Sequence, residues 1–200
     1  ATNYTDQDGT PLTITVGDGL ALVSAVHTLS DSATTYSNVI TGNPIVSQSA
    51  LETAINQGNN QIYNNLGQQR VMNYNVIFTT RNAADNAAVK QLIDSVSDVD
   101  QNNPGVVNVY GGQFRHIVLP YLNSNADGSR DSTKDRYWGI AAVGLCTRGW
   151  QAYHGIWEQP NVQTPSEDFE NNDQQYGMRY NNGIGLLSGR GLLLATGAGS

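Results

Sequence analysis

Two windows of this chain carry apolar residues at helical spacing, and most of the rest reads as short extended runs separated by polar turns. In the first window Leu51, Ala54 and Ile55 share one face. Ser49 and Glu52 stand three apart, a capping-box spacing, so a helix is expected to start near Ser49 and to weaken around 58–60, where Gly58 interrupts it. The Asn/Gln-rich stretch 57–69 fits either a further turn or two through Ile62 and Leu66 or a loop. In the second window Val89, Leu92, Ile93 and Val96 fall at i, i+3, i+4 and i+7. Asn82 is placed to cap this helix, with Asp85 in its first turn, and Asn102-Asn103-Pro104-Gly105 is a turn signal beyond its end.

The segment 71–80 (VMNYNVIFTT) alternates and is rich in β-branched and aromatic residues, which predicts a strand. Further strands are expected at 106–110, 113–122, 137–146 and 152–159, with polar loops at 123–135 and 161–174. The tail, 175–200, reads as three short strands separated by Asn181-Asn182-Gly183 and Ser188-Gly189-Arg190-Gly191. Residues 1–46 read as a polar hairpin-like opening, the apolar run 20–26 and a Ser/Thr-rich loop. A strand, a helix and then many strands, without regular alternation or internal repeats, indicate an α+β fold.

Composition narrows the function classes. The chain has 200 residues, of which 38% are hydrophobic and 14% charged, so Asn, Gln, Ser, Thr and 21 Gly carry much of the polar surface. That mix favours turns and hydrogen-bonded loops. Ten Lys and Arg against seventeen Asp and Glu leave a net charge of −7, with Lys90 and Lys134 as the lysines. A phosphate-gripping protein needs a basic face, so direct nucleic-acid binding is rejected as the main role. An acidic lining remains compatible with a container for DNA.

The single cysteine, Cys146, sits in an apolar run and reads as a small core residue. One thiol excludes an intramolecular disulfide and a thiolate-built metal site, and mildly favours a reducing compartment. No run reaches membrane-span length, and no signal-peptide pattern is seen. Asn3-Tyr4-Thr5 matches a glycosylation sequon, read here as chance. The polar start without an initiator Met is expected to mark a piece of a longer product.

Candidate chemistry is sparse. Ser188 lies in GLLSGRG, which misses the G-x-S-x-G spacing, and the Gly-rich tail holds neither a G-x-G-x-x-G run nor a phosphate-reaching Lys. His27, His116 and His154 are isolated in sequence and read as structural, hydrogen-bonded side chains. Asp94, Asp98 and Asp100 gather near the end of the second helix, where negative charge opposes the dipole, and they lack a calcium-loop spacing. Asp6-Gln7-Asp8-Gly9 resembles part of such a loop without its bidentate Glu. Glu167, Asp168, Glu170 and Asp173 read as a solvated loop able to reach a neighbouring subunit, with Arg179 and Arg190 as partners of opposite sign. Trp138 and Trp157 lie in expected strands as core anchors; with Trp150 they also raise a sugar-stacking platform as the competing idea. No catalytic, cofactor-binding or metal-binding residue is assigned, and no cofactor is expected.

Taken in order, several segments resemble the C-terminal portion of tailed-phage major capsid proteins with the Hong Kong 97-like fold. They are GDGLALVSAVHTLSDSATTYSNVITGNP, SQSALETAI, VMNYNVIFTTRNAADNAAVKQLIDS, GGQFRHIVLPYLN, RYWGIAAV and MRYNNGIGLLSGRGLLLATG. The resemblance covers nearly the whole chain. It implies an axial domain over 46–155, two helices on a mixed sheet, between a peripheral or connecting segment at 1–45 and closing strands at 156–200 that return to the peripheral domain.

The function implied is a non-enzymatic structural subunit of an icosahedral phage head around double-stranded DNA, assembled in the host cytoplasm and resident in the virion. Its partners would be copies of itself in hexamers and pentamers, together with decoration or portal proteins. The family's N-terminal arm, extended loop and long spine helix have no counterpart in this pattern, so exposed sheet edges are expected where those parts or neighbours would cover them. No crosslinking pair is assigned to Lys90 or Lys134.

Two other readings compete. An extracellular or tail-associated module binding carbohydrate or a surface receptor would need two exposed coplanar aromatics. A hydrolase would need two histidines and a carboxylate to converge in one pocket.

Overall fold

The computed structural model of the chain describes residues 3–5, 11–13, 15–29, 32–64, 66–95, 107–125, 127–142, 153–157, 159, 161–162, 166–168, 173–175, 178–179, 182–186 and 188–198. Among the described residues the architecture is mixed α+β, with two α-helices and a central four-stranded mixed sheet.

The first helix, α1 (Gln48–Gln61), starts two residues earlier than the Ser49/Glu52 spacing implied. Ser47 is the cap, and its hydroxyl accepts from the amide of Ala50 at 3.2 Å. The helix also runs through Gly58 instead of fading there. Gly58 is buried and lies directly under the Tyr74 ring, so the position that lowers helix propensity provides the space for a core aromatic. Beyond α1, Asn64 closes a turn by accepting at its side-chain oxygen from the amides of Leu66 and Gln68.

The second helix, α2 (Ala83–Asp94), matches its reading closely. Asn82 accepts from Ala84 and Asp85 amides at 3.0 and 3.3 Å, and Val89, Leu92 and Ile93 are buried. Val96 lies outside the described residues.

Fourteen strands are described: β1 (Asn3–Thr5), β2 (Pro11–Thr13), β3 (His27–Leu29), β4 (Ser32–Tyr36), β5 (Val76–Thr79), β6 (Arg115–Val118), β7 (Trp138–Ala141), β8 (Tyr153–Trp157), β9 (Asn161–Val162), β10 (Ser166–Asp168), β11 (Asp173–Gln175), β12 (Met178–Arg179), β13 (Asn182–Leu186) and β14 (Leu192–Ala195). The central sheet runs β14-β7-β5-β6. Its β5–β6 pair is parallel and joined through α2, and the other two pairs are antiparallel. Parallel neighbours require such a crossover, and α2 supplies it. The remaining strands form two-stranded pairs: β1–β2, β3–β4, β8–β13, β9–β12 and β10–β11.

Several expectations change. The strand expected at 71–80 is confined to β5 and the one at 113–122 to β6, which a turn at 120–123 follows. The Ser/Thr-rich stretch after position 27, read as loop, forms the β3–β4 hairpin, because its Thr residues suit paired strands as well as turns. The acidic stretch 161–174, also read as loop, contains β9, β10 and β11. The expected strand 106–110 forms no strand over its described part: Val107 makes only an isolated bridge, and Val109 and Tyr110 lie in a turn. Asn108 Nδ2 donates to the carbonyls of Leu92 and Ser95 at 2.6 and 3.0 Å, tying this segment to the end of α2 and removing it from the sheet.

The core lies between the sheet and the helices. Leu51, Ala54, Ile62, Ile77, Val89, Leu92, Ile140 and Leu193 pack with the fully buried Trp138, whose indole N–H donates to the Pro44 carbonyl at 2.8 Å. Asp85, buried in the first turn of α2, pairs with Arg136 at 3.0 Å.

Candidate functional site

Two polar clusters concentrate the described ionisable groups. The first gathers around His27 at the start of β3. The turn 16–20 closes by a Gly19 amide to Val16 carbonyl bond, and it aims Asp18 back at β3. His27 Nδ1 donates to Asp18 Oδ2 at 2.7 Å, which assigns the proton to Nδ1 because a carboxylate only accepts. Burial pushes the Asp18 carboxyl upward. Hydrogen bonds from His27 and from the Leu20 and Thr28 amides outweigh it and hold the group below the ordinary carboxylate range.

The imidazole is 0% exposed and stacks on Tyr36 with ring centroids 4.8 Å apart, and the Arg190 guanidinium lies 5.5 Å from the Tyr36 centroid. Asn38, also fully buried, completes the cluster. Its Oδ1 accepts from the Ser24 amide at 2.7 Å, and its Nδ2 donates to Leu22 and Gly189 carbonyls at 2.7 and 3.0 Å. Gly189 closes the roof: a Cβ there would stand 2.6 Å from Asn38 Nδ2 and 2.8 Å from His27 Nε2.

The Asp18–His27 couple has the geometry of a base and its orienting carboxylate. Ser188 is adjacent to the roof and accepts from the Arg190 amide at 3.2 Å. His27 Nε2, however, is sealed from solvent and has no hydrogen-bond partner among the described residues. The arrangement pins the 18–27 loop, β4 and the 188–191 turn together, and a substrate atom has no path to the ring nitrogen.

The second cluster is open. A cleft of about 370 Å³ is lined by Arg81, Asn82, Asn123, Ser124, Arg130 and Asp135, among others. Its far wall is the 124–130 loop, folded on itself by a Ser124–Arg130 bridge and by the Asn125 amide bonding to the Ser129 carbonyl at 2.8 Å. Asp135 accepts from both nitrogens of the Arg130 fork and from Asn123 Nδ2 at 2.8 Å. The Arg130 bond first, and Asn123 after it, hold its carboxyl below the usual range. Nearby, Lys134 pairs with Asp131 at 2.7 Å. Arg81 lies with its guanidinium 5.7 Å from the exposed Tyr121 ring, and no carboxylate pairs with it among the described residues.

The histidines do not converge. His116, on β6, bonds Thr79 Oγ1 at 2.8 Å. Burial and then the Lys90 charge push its pKa down, with Asp94 pulling the other way. The side chains of His154 and Trp157, and Cys146, Trp150, Asp98 and Asp100, lie outside what the structure describes. Of the tryptophans in view, Trp138 is a core anchor as expected and offers no face to a sugar. Among the described residues no three His, Cys, Asp or Glu gather to hold a metal ion, and no helix is long and apolar enough to cross a membrane. The Asp18–His27 pair, nine residues apart, and the Asn38–Gly189 bond, 151 apart, left no local sequence signal.

Comparison with protein-family models, with curated proteins and with solved structures finds no match to this chain.

Proposed function

We propose that the chain is a structural subunit that meets copies of itself to build a closed shell, of the tailed-phage major capsid kind, around double-stranded DNA. The observation that carries this reading is the asymmetry of the central sheet. One rim is covered: Ile40 donates to the Leu194 carbonyl at 2.9 Å and Leu194 donates to the Asn38 carbonyl at 3.0 Å, so β14 is paired on both sides. At the other rim no described strand pairs the outer side of β6, and the chain continues into the exposed Val118, Leu119 and Tyr121.

An open strand edge beside apolar side chains favours pairing with another chain, and proteins that stay monomeric usually blunt such edges. Symmetric assemblies bury such surfaces by repeating one contact around a closed arrangement. The net charge of −7 suits a wall that holds DNA without gripping it. Sedimentation velocity with electron microscopy of the purified chain tests this. Rings or closed particles are expected. A strictly monomeric species stabilised against heat by a glycan would overturn the reading in favour of a carbohydrate-binding module.

A further inference from the structure

We infer that the outer edge of β6 takes up an extended, acid-bearing segment of a second copy as an added strand, in a head-to-tail contact and not by pairing of two β6 edges. The inference rests on the self-assembling reading above, since the partner is another copy.

The backbone sets what the edge offers. The Arg115 and Leu119 amides donate to the Asn75 and Thr79 carbonyls at 2.9 and 2.8 Å, so β6 turns these amides towards β5. Backbone groups alternate along a strand, and the amides of His116 and Val118 therefore point away from β5. Among the described strands β6 is bonded to β5 alone. Val118, Leu119 and Tyr121 are exposed beside these donors. A strand laid along this edge meets main-chain donors and apolar side chains together, the combination that strand addition uses.

Charge selects the occupant. Arg115 stands on β6, Lys90 of α2 lies near enough to act on His116, and the Arg81 guanidinium is 5.7 Å from the Tyr121 ring. All three are exposed, and among the described residues none of them forms an ion pair. Arg130, Lys134 and Arg136 do have carboxylate partners, and Arg70 and Arg190 have contacts of their own. The unpaired cations in view thus gather along one edge, with Asp94 at the end of α2 as the acid set against them. Two such edges face to face would bring like charges together, which destabilises a strand pair and is a guard against edge-to-edge association. The rest of a chain with net charge −7 is acidic in excess, so a second copy arriving by another face carries the complementary charge. Each copy then offers one edge and one acidic segment, a heterologous contact.

Val118→Pro tests the edge. It removes an outward amide and no bond to β5, at a kind of position where an edge strand tolerates proline. Its thermal midpoint is expected to stay nearly unchanged, while self-association in sedimentation velocity weakens at least about tenfold, the worth of one hydrogen bond. The double variant Arg81→Glu/Arg115→Glu leaves the backbone edge intact and decides the matter if Val118→Pro does not fold. It should weaken association by a similar factor at low salt and by less at high salt. A tagged Val118→Pro chain should still capture the wild type, whose own edge is free to receive it, and should not capture itself. Capture of neither would mean a symmetric contact and would overturn the head-to-tail inference. If the wild type builds particles and both variants build them equally well, the β6 contact is wrong and the shell reading stands. If the wild type forms only short open oligomers that both variants dissolve, the contact stands and the shell reading falls. A wild-type monomer at every concentration overturns both.

Discussion

The His27 cluster and the Arg81 cleft use the same kinds of group, an Asn, an Asp and a cation, and put them to opposite use. Around His27 the fold turns the Asp18 carboxylate, the Asn38 amide and His27 Nδ1 onto its own chain, and Gly189 shuts the roof. Around Arg81 the carboxylate is neutralised by Arg130, which is 71% exposed, and Arg81 itself faces outward. The difference lies in the dielectric. A buried polar group without a partner costs free energy, so a closed cluster must meet most of its hydrogen-bonding needs internally, whereas an exposed cation is solvated and can wait for a partner.

The comparison can be broken from the closed side first. Asn38→Ala strips partners from the Ser24 amide and from the Leu22 and Gly189 carbonyls, and should lower unfolding free energy by about 3 kcal/mol in a urea titration. Gly189→Ala puts a methyl group against Asn38 and His27 and should cost about 2 kcal/mol in the same titration, since neither neighbour can retreat.

Asp18→Asn should cost about 1 to 2 kcal/mol at neutral pH, the worth of a charge-assisted hydrogen bond. Its pH dependence has a definite sign. The folded carboxyl has a pKa below its unfolded value, so its contribution is present above the unfolded pKa of about 4 and is lost as pH falls through the folded one. The gap between wild type and variant should therefore close on acidification, and a gap that widened would refute the pairing. Arg81→Gln gives the smallest effect, within about 0.5 kcal/mol of wild type by thermal denaturation, because the side chain is exposed and unpaired among the described residues.

What was legible in the sequence followed locality. Asn82 capped α2 and Val89, Leu92 and Ile93 turned inward as their spacing indicated, because caps and helical faces depend on residues within a turn or two. The cap of α1 moved to Ser47, since two serines two residues apart offer equivalent oxygens and packing chooses between them. The strand expected at 106–110 failed because Asn108 found the carbonyls at the end of α2, a competition invisible to local propensity.

By itself the chain determined its α+β character, both helices, the strand core around Val76–Thr79 and the last strand of the tail, all from short-range periodicity and turn chemistry, whereas Asn182 and Gly183, expected in a turn, belong to β13. Tertiary structure alone decided that Asp18 faces His27, that Asn38 reaches Gly189 across 151 residues, and that Arg81 is left over at an open cleft. Polar partners distant in sequence leave no periodic trace, and whether such a group is sealed or solvated is settled only when the apolar faces have packed.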